Sequence, residues 1–456
     1  MQTTSPRTKM KRLNGDSLTP ILIFRRLQGK HKFLLESSAQ HEEAGRFSFI
    51  GANPRKTYKG TGQQIQEYSH KTGATYTHSG DLFVLLKRLM PRISNTTQFP
   101  FSGGAVGYIG HGSTTMLVDD TLALPDAYFH VYETIIVFDH VTDEVTLIYT
   151  NIDAEKQEPD LEALAQQLVN GDACDEVDCH YQLLDTPVHQ QFTTAFQTIQ
   201  ASLNEEITRI VLPKHYVANL QGGAFSLYRQ LRKKKPAAYM YYVEFDDHIV
   251  LGTSPESFIQ VKGERVIATP TEGTYPRGAT KGEDLANERK LSEHTEVRKS
   301  HAVLVSAMQQ ELQSVCFRDS VQVMDAMRIV RSKHALHMTT RIEGQLLPML
   351  HALDVLAVTM PPFSVTGIPK EQVAQYLEKW PYTAGIFGGA LGFIGFNGHL
   401  DFALTGQSIV VKNETMHMQS MITVTKYTDV ITALQQVQEE EQTFLQLLAR
   451  NGGQNK

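Results

Sequence analysis

Between Phe33 and Pro54 the chain reads FLLESSAQHEEAGRFSFIGANP, two short apolar runs separated by a polar stretch and marked by Gly45 and Gly51. Apolar residues at alternate positions suit strands with one buried face, whereas a helix needs them three and four apart. The pattern predicts a hairpin that buries Phe47 and Phe49. Leu35 then lies on one face, and Glu36 and Ser37 stand where a polar ligand can reach them.

Similar runs recur through residues 15 to 150, at Phe47 to Gly51, Gly103 to Ile109, Glu133 to Phe138 and Val145 to Ile152, with Gly- and Pro-marked turns between them. These imply a β-rich N-terminal domain over 15–155. From Asp153 to Asp185 the composition turns acidic and poor in aromatics, with Asp172, Asp175, Glu176 and Asp178 close together. A solvated connector over 156–189 is expected there, carrying one helix at Leu161 to Val169. Beyond Gln190 an amphipathic helix, Phe192 to Asn204, leads into a strand at Ile207 to Pro213. Hairpins and helices then alternate to Ala449, which defines a second domain over 190–447.

Composition narrows the partners. The 456 residues are 41% hydrophobic with a net charge of -6, enough to bury a large core and unlike a surface built for nucleic acid or anionic membrane. The Lys233 to Lys235 run is too short to change this. No apolar run nears the roughly 20 residues that span a bilayer. Arg7, Lys9, Lys11 and Arg12 precede no apolar core of a signal peptide, so a cytoplasmic location is expected. Cys174, Cys179 and His180 fall short of the four ligands of a closed zinc site.

Five elements of the second block carry chemistry. Pro236 to Glu256, with Tyr239 and Met240 near its start and Gly252-Thr253-Ser254-Pro255-Glu256 at its end, reads as two antiparallel strands and a turn presenting a carboxylate. A partly desolvated carboxyl keeps a proton near neutral pH and can deliver it to a departing hydroxyl. Next comes Thr269-Pro270-Thr271-Glu272-Gly273-Thr274-Tyr275-Pro276-Arg277, where Gly273 lets backbone approach a ligand and Thr274 can bond a carboxylate. His337 follows on an apolar strand, then the turn Thr366-Gly367-Ile368-Pro369-Lys370, whose Lys370 opens a helix. A strand from Gly385 to Gly392 completes the series, its glycines permitting close approach.

In this order and spacing the five elements resemble the chorismate-binding enzymes. With Leu34-Leu35-Glu36-Ser37 and Tyr239-Met240 added, the chain is similar to anthranilate synthase component I. That resemblance implies an α+β fold of two antiparallel sheets packed face to face with helices outside, and a regulatory N-terminal domain. It implies a lyase with Glu256 as general acid, His337 and Thr274 orienting the ring, and Gly273, Arg277, Lys370, Gly388 and Gln407 at the substrate. Leu35, Glu36, Ser37, Tyr239 and Met240 would form a pocket for inhibitory tryptophan. Mg²⁺ is the implied cofactor and chorismate the implied substrate. Ammonia would come from a glutamine amidotransferase subunit, component II, because no Gly-x-Cys-x-Gly elbow occurs in this chain.

The sequence departs from the family at several of these positions. The magnesium glutamates fall at Ser300, just before His301, and, without a gap, at Gln436, with Glu439, Glu440 or Glu441 taking that place if the register shifts. Gln309-Gln310-Glu311 replaces an Arg-Asn-Asp, Gln407 a clamping arginine, Met421-Ile422-Thr423 a Gly-Ala-Gly, and Phe387 a tyrosine. Arg209 stands where water-adding relatives place a lysine base, and Glu272 where aminodeoxychorismate synthases place a lysine nucleophile. Isochorismate and aminodeoxychorismate synthesis are thereby disfavoured. The rival to the lyase is a catalytically disabled relative that senses tryptophan or holds the amidotransferase.

Overall fold

The computed structural model describes residues 8–36, 45–93, 97–110, 122–152, 158–174, 177–184, 194, 196–201, 203, 207–255, 257–333, 335–377, 386–426, 428, 429, 431 and 435. Ser37, Glu256 and Gln436 lie outside them.

Two sheets of twelve strands each carry the fold among these residues. The first runs in the order Thr8–Asn14, Glu144–Thr150, Thr134–Asp139, Phe47–Gly51, Phe33–Glu36, Tyr239–Glu244, Ile249–Ser254, Ser408–Lys412, Thr415–Val424, Arg209–Gln221, His180–Leu183, with Gly367–Ile368 against Arg209–Gln221. The second runs Thr271–Pro276, Ala335–Gln345, Arg265–Ala268, Ser257–Lys262, Leu400–Leu404, Ala390–Gly395, Gly104–Ile109, Ala127–Tyr132, Lys56–Thr61, Gln64–Ser69, Thr75–Ser79, with Gln322–Arg331 against Ala335–Gln345. Both draw strands from either side of residues 156–189. Phe33–Glu36 pairs with Tyr239–Glu244, and Gly104–Ile109 pairs with Ala390–Gly395, both antiparallel.

Between the sheets lies an aromatic layer. Phe33, Phe49 and Tyr241 of the first sheet meet Tyr108, Tyr132 and Phe393 of the second. Phe101 stacks at 4.5 Å on Phe393 and edge-on at 5.5 Å to Phe49, arrangements that suit the ring quadrupoles. Helices cover the outer faces. Ile23 and Phe24 of Pro20–Arg26, Leu168 of Leu161–Asn170 and Leu227 of Ala224–Lys234 pack with Leu34, Ile50 and Tyr242 of the first sheet. Met308 and Leu312 of Thr295–Gln313, Leu85 of Leu82–Leu89 and Leu356 of Ala352–Thr359 pack with Phe129, Ile259 and Phe402 of the second. This is the expected α+β architecture. No helix among the described residues is long and apolar enough to cross a membrane.

Two local expectations change. The strand read as ending at Pro213 begins at Arg209 and continues to Gln221. Val211 donates to Thr366 on the side away from Thr415–Val424, so Pro213, two residues on, turns its missing donor the same way. His180–Leu183 pairs only from Ala218 onward, so no ladder bond is lost there. The glycine-rich strand starts at Ala390, and residues 386–389 form a turn in which Gly388 has φ of +76°, a conformation outside a strand.

Candidate active site

The long helix Thr295–Gln313 and the strand Thr271–Pro276 bring Ser300 and Glu272 together. Ser300 Oγ donates to Glu272 Oε1 at 2.8 Å, and a guanidinium nitrogen of Arg209 lies 3.5 Å from the same oxygen. Arg209, 4% exposed, also donates to the Phe363 carbonyl at 3.1 Å and to Thr423 Oγ1 at 3.1 Å. The two positions that told against isochorismate and aminodeoxychorismate synthesis are therefore partners of each other. Beside them, buried His301 bonds Thr340 Oγ1 through Nε2 at 2.7 Å. Burial, reinforced by Arg209, pushes its pKa down to about 4, which keeps the ring neutral.

This donor set does not fit Mg²⁺. A hard dication needs anionic oxygens at short range. Here Ser300 offers a neutral hydroxyl already bonded to Glu272, so among the described residues of this set Glu272, itself paired with Arg209, is the single anionic donor.

A second cluster gathers on the neighbouring strand. His337 of Ala335–Gln345 pairs across the sheet with Thr274, and Nδ1 lies 3.2 Å from Thr274 Oγ1. Burial first, then Lys235, pushes His337 down to about 4, so it meets a ligand as neutral imidazole. Lys235 also donates to the Gln407 side chain. A cation thus stands beside Gln407, the position where the family arginine is absent. Lys235 was legible only as part of a short charge run, although that run leads directly into the Pro236 to Glu256 hairpin.

Gly273 has φ of +80° and sits at a bulge between Glu272 and Thr274. A Cβ there would come 2.6 Å from Val297 Cγ1, so the glycine is required by the bulge and by the packed helix together. Arg277 binds Asp284 through two nitrogens at 2.6 and 2.7 Å and the Ser332 carbonyl at 2.6 Å, which ties it to the helix Lys281–Glu293. Lys370 opens its helix as expected, and its ammonium pairs with Glu311 and the Thr359 carbonyl. Burial raises Glu311 to about 7 despite that partner. Glu311 occupies the place of the family aspartate, so the Arg-Asn-Asp departure retains an acid there.

The segments read as a tryptophan pocket do meet. Glu36 is opposite Met240, and Leu35 opposite Tyr241. The Glu36 carboxylate, 2% exposed, accepts from Tyr228 OH and Arg232 Nε, each at 2.7 Å. Tyr239 OH instead donates to Asp401 at 2.9 Å. Asp401 also accepts from Ser257 at 2.7 Å and Gln260 at 2.8 Å, and burial raises its pKa to about 6. This acid is bonded to Ser257, the first residue of its strand. Sequence reading passed over it, since its partners come from other strands.

Residues 30–425 match the chorismate binding enzyme family. The chain is 29% identical over 430 residues to anthranilate synthase component 1 of Lactococcus lactis, covering 90% of this chain and 93% of that protein. It is 27% identical over 464 residues to the same component of Neisseria meningitidis, covering 96% and 94%. The solved anthranilate synthase component I of Streptococcus pneumoniae superimposes with a TM-score of 0.76 at 24% identity, covering 96% of this chain and 98% of the other. The menaquinone-specific isochorismate synthase of Escherichia coli shares the fold, with a TM-score of 0.72 at 13% identity over 98% and 95% of the two chains. A match across most of the chain, joined to the paired His337 and Thr274, means that this protein belongs to the chorismate-binding enzymes.

Proposed function

We propose that the protein is an anthranilate synthase component I of the cytoplasm, converting chorismate and ammonia to anthranilate and pyruvate. The component 1 names of its relatives imply a second component, and in this reading that component is the glutamine amidotransferase subunit that supplies ammonia. The observation that carries the reading is Lys235, which brings positive charge to Gln407 and to the His337–Thr274 pair, where a carboxylate of the substrate must be held. In this reading ammonia adds to the ring as Glu256 protonates the departing hydroxyl, and elimination of pyruvate restores aromaticity. Neutral His337 and Thr274 orient the ring. No step runs through Mg²⁺, because the donors around Ser300 do not fit it. Tryptophan inhibits at the junction of Leu35, Glu36 and Met240.

The closed Arg209–Glu272–Ser300 set favours a second reading, a disabled relative that binds ligand without turning it over. Anthranilate fluorescence from purified protein with chorismate and excess ammonium, with and without chelator and tryptophan, separates the two. The expected result is product formation that chelator leaves unchanged and tryptophan suppresses. Absence of product, with chorismate still raising the melting temperature, selects the second reading. Neither product nor stabilisation overturns both.

A further inference from the structure

Away from the cleft, three residues from separate parts of the chain converge where the two sheets meet. His31 precedes the strand Phe33–Glu36, Asp246 lies in the turn after Tyr239–Glu244, and both belong to the first sheet. His130 lies within Ala127–Tyr132 of the second. One ligand atom from each falls within 4.8 Å of the others. The rings of His31 and His130 are 4.7 Å apart, and His31 Nδ1 is 3.5 Å from Asp246 Oδ1.

Two nitrogens of this cluster lack what buried polar atoms need. His130 is 0% exposed and its Nε2 has no hydrogen-bond partner, and His31 Nδ1 is likewise buried without one. Buried imidazole nitrogens are ordinarily satisfied, so a pair left open toward one carboxylate points to a missing partner. The opposite edge of His130 is tied down. Its Nδ1 lies 2.7 Å from Thr57 Oγ1, which lies 2.7 Å from His70 Nε2. In the tautomer where Nδ1–H donates to Thr57 and the Thr57 hydroxyl donates to His70, His130 Nε2 carries a bare lone pair on the side of the cluster. An outer hydrogen bond that orients the ring and fixes the tautomer is what metal-binding histidines use. His31 is held in place by its backbone, with φ of +53°, an uncommon conformation for a residue with a side chain. Lys59 holds Asp246 Oδ2 at 2.6 Å and leaves Oδ1 toward His31.

We infer that His31 Nδ1, His130 Nε2 and Asp246 Oδ1 bind a divalent transition metal, Zn²⁺ by preference, at the junction of the two sheets. Two imidazoles and one carboxylate suit zinc, with water completing the tetrahedron. Neighbouring ligands in such a tetrahedron are roughly 3.4 Å apart, which small side-chain rotations reach from the present spacing. The ion would clamp the sheets together far from the Arg209 cluster, and its role does not depend on the chemistry proposed above.

The test uses untagged full-length protein, stripped with chelator and titrated with Zn²⁺ by calorimetry and with Co²⁺ by visible absorption. One equivalent is expected to bind at micromolar or tighter affinity, with Co²⁺ giving the intense bands of tetrahedral ligation. H31Q and D246N should each weaken binding at least tenfold. H215Q, at the other closely stacked histidine pair, His215 with His417, should leave it unchanged. Because Asp246 is about two-fifths exposed, D246N keeps the test open if replacing buried His130 prevents folding. Absence of stoichiometric binding, or wild-type affinity retained in H31Q and D246N, overturns the inference, as does loss of binding in H215Q alone.

Discussion

Lys235 ends the helix Ala224–Lys234 as its C-cap residue, and its side chain reaches Gln407, so one residue both closes an element and carries charge to the cleft. A charged hydrogen bond contributes about 1.5–3 kcal/mol. K235M is therefore expected to weaken chorismate binding by roughly ten- to a hundredfold while leaving the melting temperature nearly unchanged, measured by titration and thermal melt. Glu272 is the opposite case. Its partner Arg209 is buried, so E272A leaves an uncompensated charge and should destabilise the fold by about 3–5 kcal/mol in denaturant unfolding. S300A, which removes one donor to that carboxylate but leaves the ion pair, should cost less, about 1.5–3 kcal/mol. The sequence identified each of these departures singly. That Arg209 answers Glu272, and that Lys235 stands beside Gln407, was not legible because each pair joins residues from different elements. Arg277 and Lys370 show the converse: their motifs were recognisable, yet their charges meet Asp284 and Glu311 within the protein.

Elements were more legible than contacts, because their causes are local. Thr19 followed by Pro20 starts a helix with a side-chain cap and a proline at a position where its missing donor is harmless. Thr280 and Glu283 form a reciprocal capping box that starts Lys281–Glu293. Leu161–Asn170 appears within one residue of its expected end, with Asp160 capping two backbone amides. The glycine-rich strand is where packing sets the sequence. A Cβ on Gly392 would stand 1.9 Å from the Asp401 carbonyl oxygen, a backbone atom that cannot step aside. G392A should therefore separate Ala390–Gly395 from Leu400–Leu404 and lower stability by more than about 3 kcal/mol, read as a fall in melting temperature. Asp401 anchors the polar network of Tyr239, Ser257 and Gln260, so the same variant should disturb that network as well as the sheet.

At the scale of the whole molecule, buried titratable groups give stability a pH dependence whose sign follows from their shifts. Burial pushes His215, His301, His337 and His351 each from 6.5 down to about 4. Between those values the unfolded chain binds protons that the folded one refuses, so these groups lose stability as pH falls through the window. Asp401 and Glu311 oppose them, since burial raises them to about 6 and about 7 and their contribution is lost as pH rises. Four histidines outweigh two carboxyls whose displacements are of similar size. The melting temperature should fall from pH 6.5 to pH 4, and a flat or rising profile would contradict this assignment. The β-rich blocks, helix starts, glycine turns and order of the chorismate motifs were set by the sequence itself, because alternation, caps and backbone freedom act over a few residues. Tertiary structure alone decided that Phe33–Glu36 would lie against Tyr239–Glu244, that both sheets would run through the two halves of the chain, and that His31, His130 and Asp246 would converge. Those outcomes depend on which distant strands bury one another's faces, and no local pattern encodes the partner.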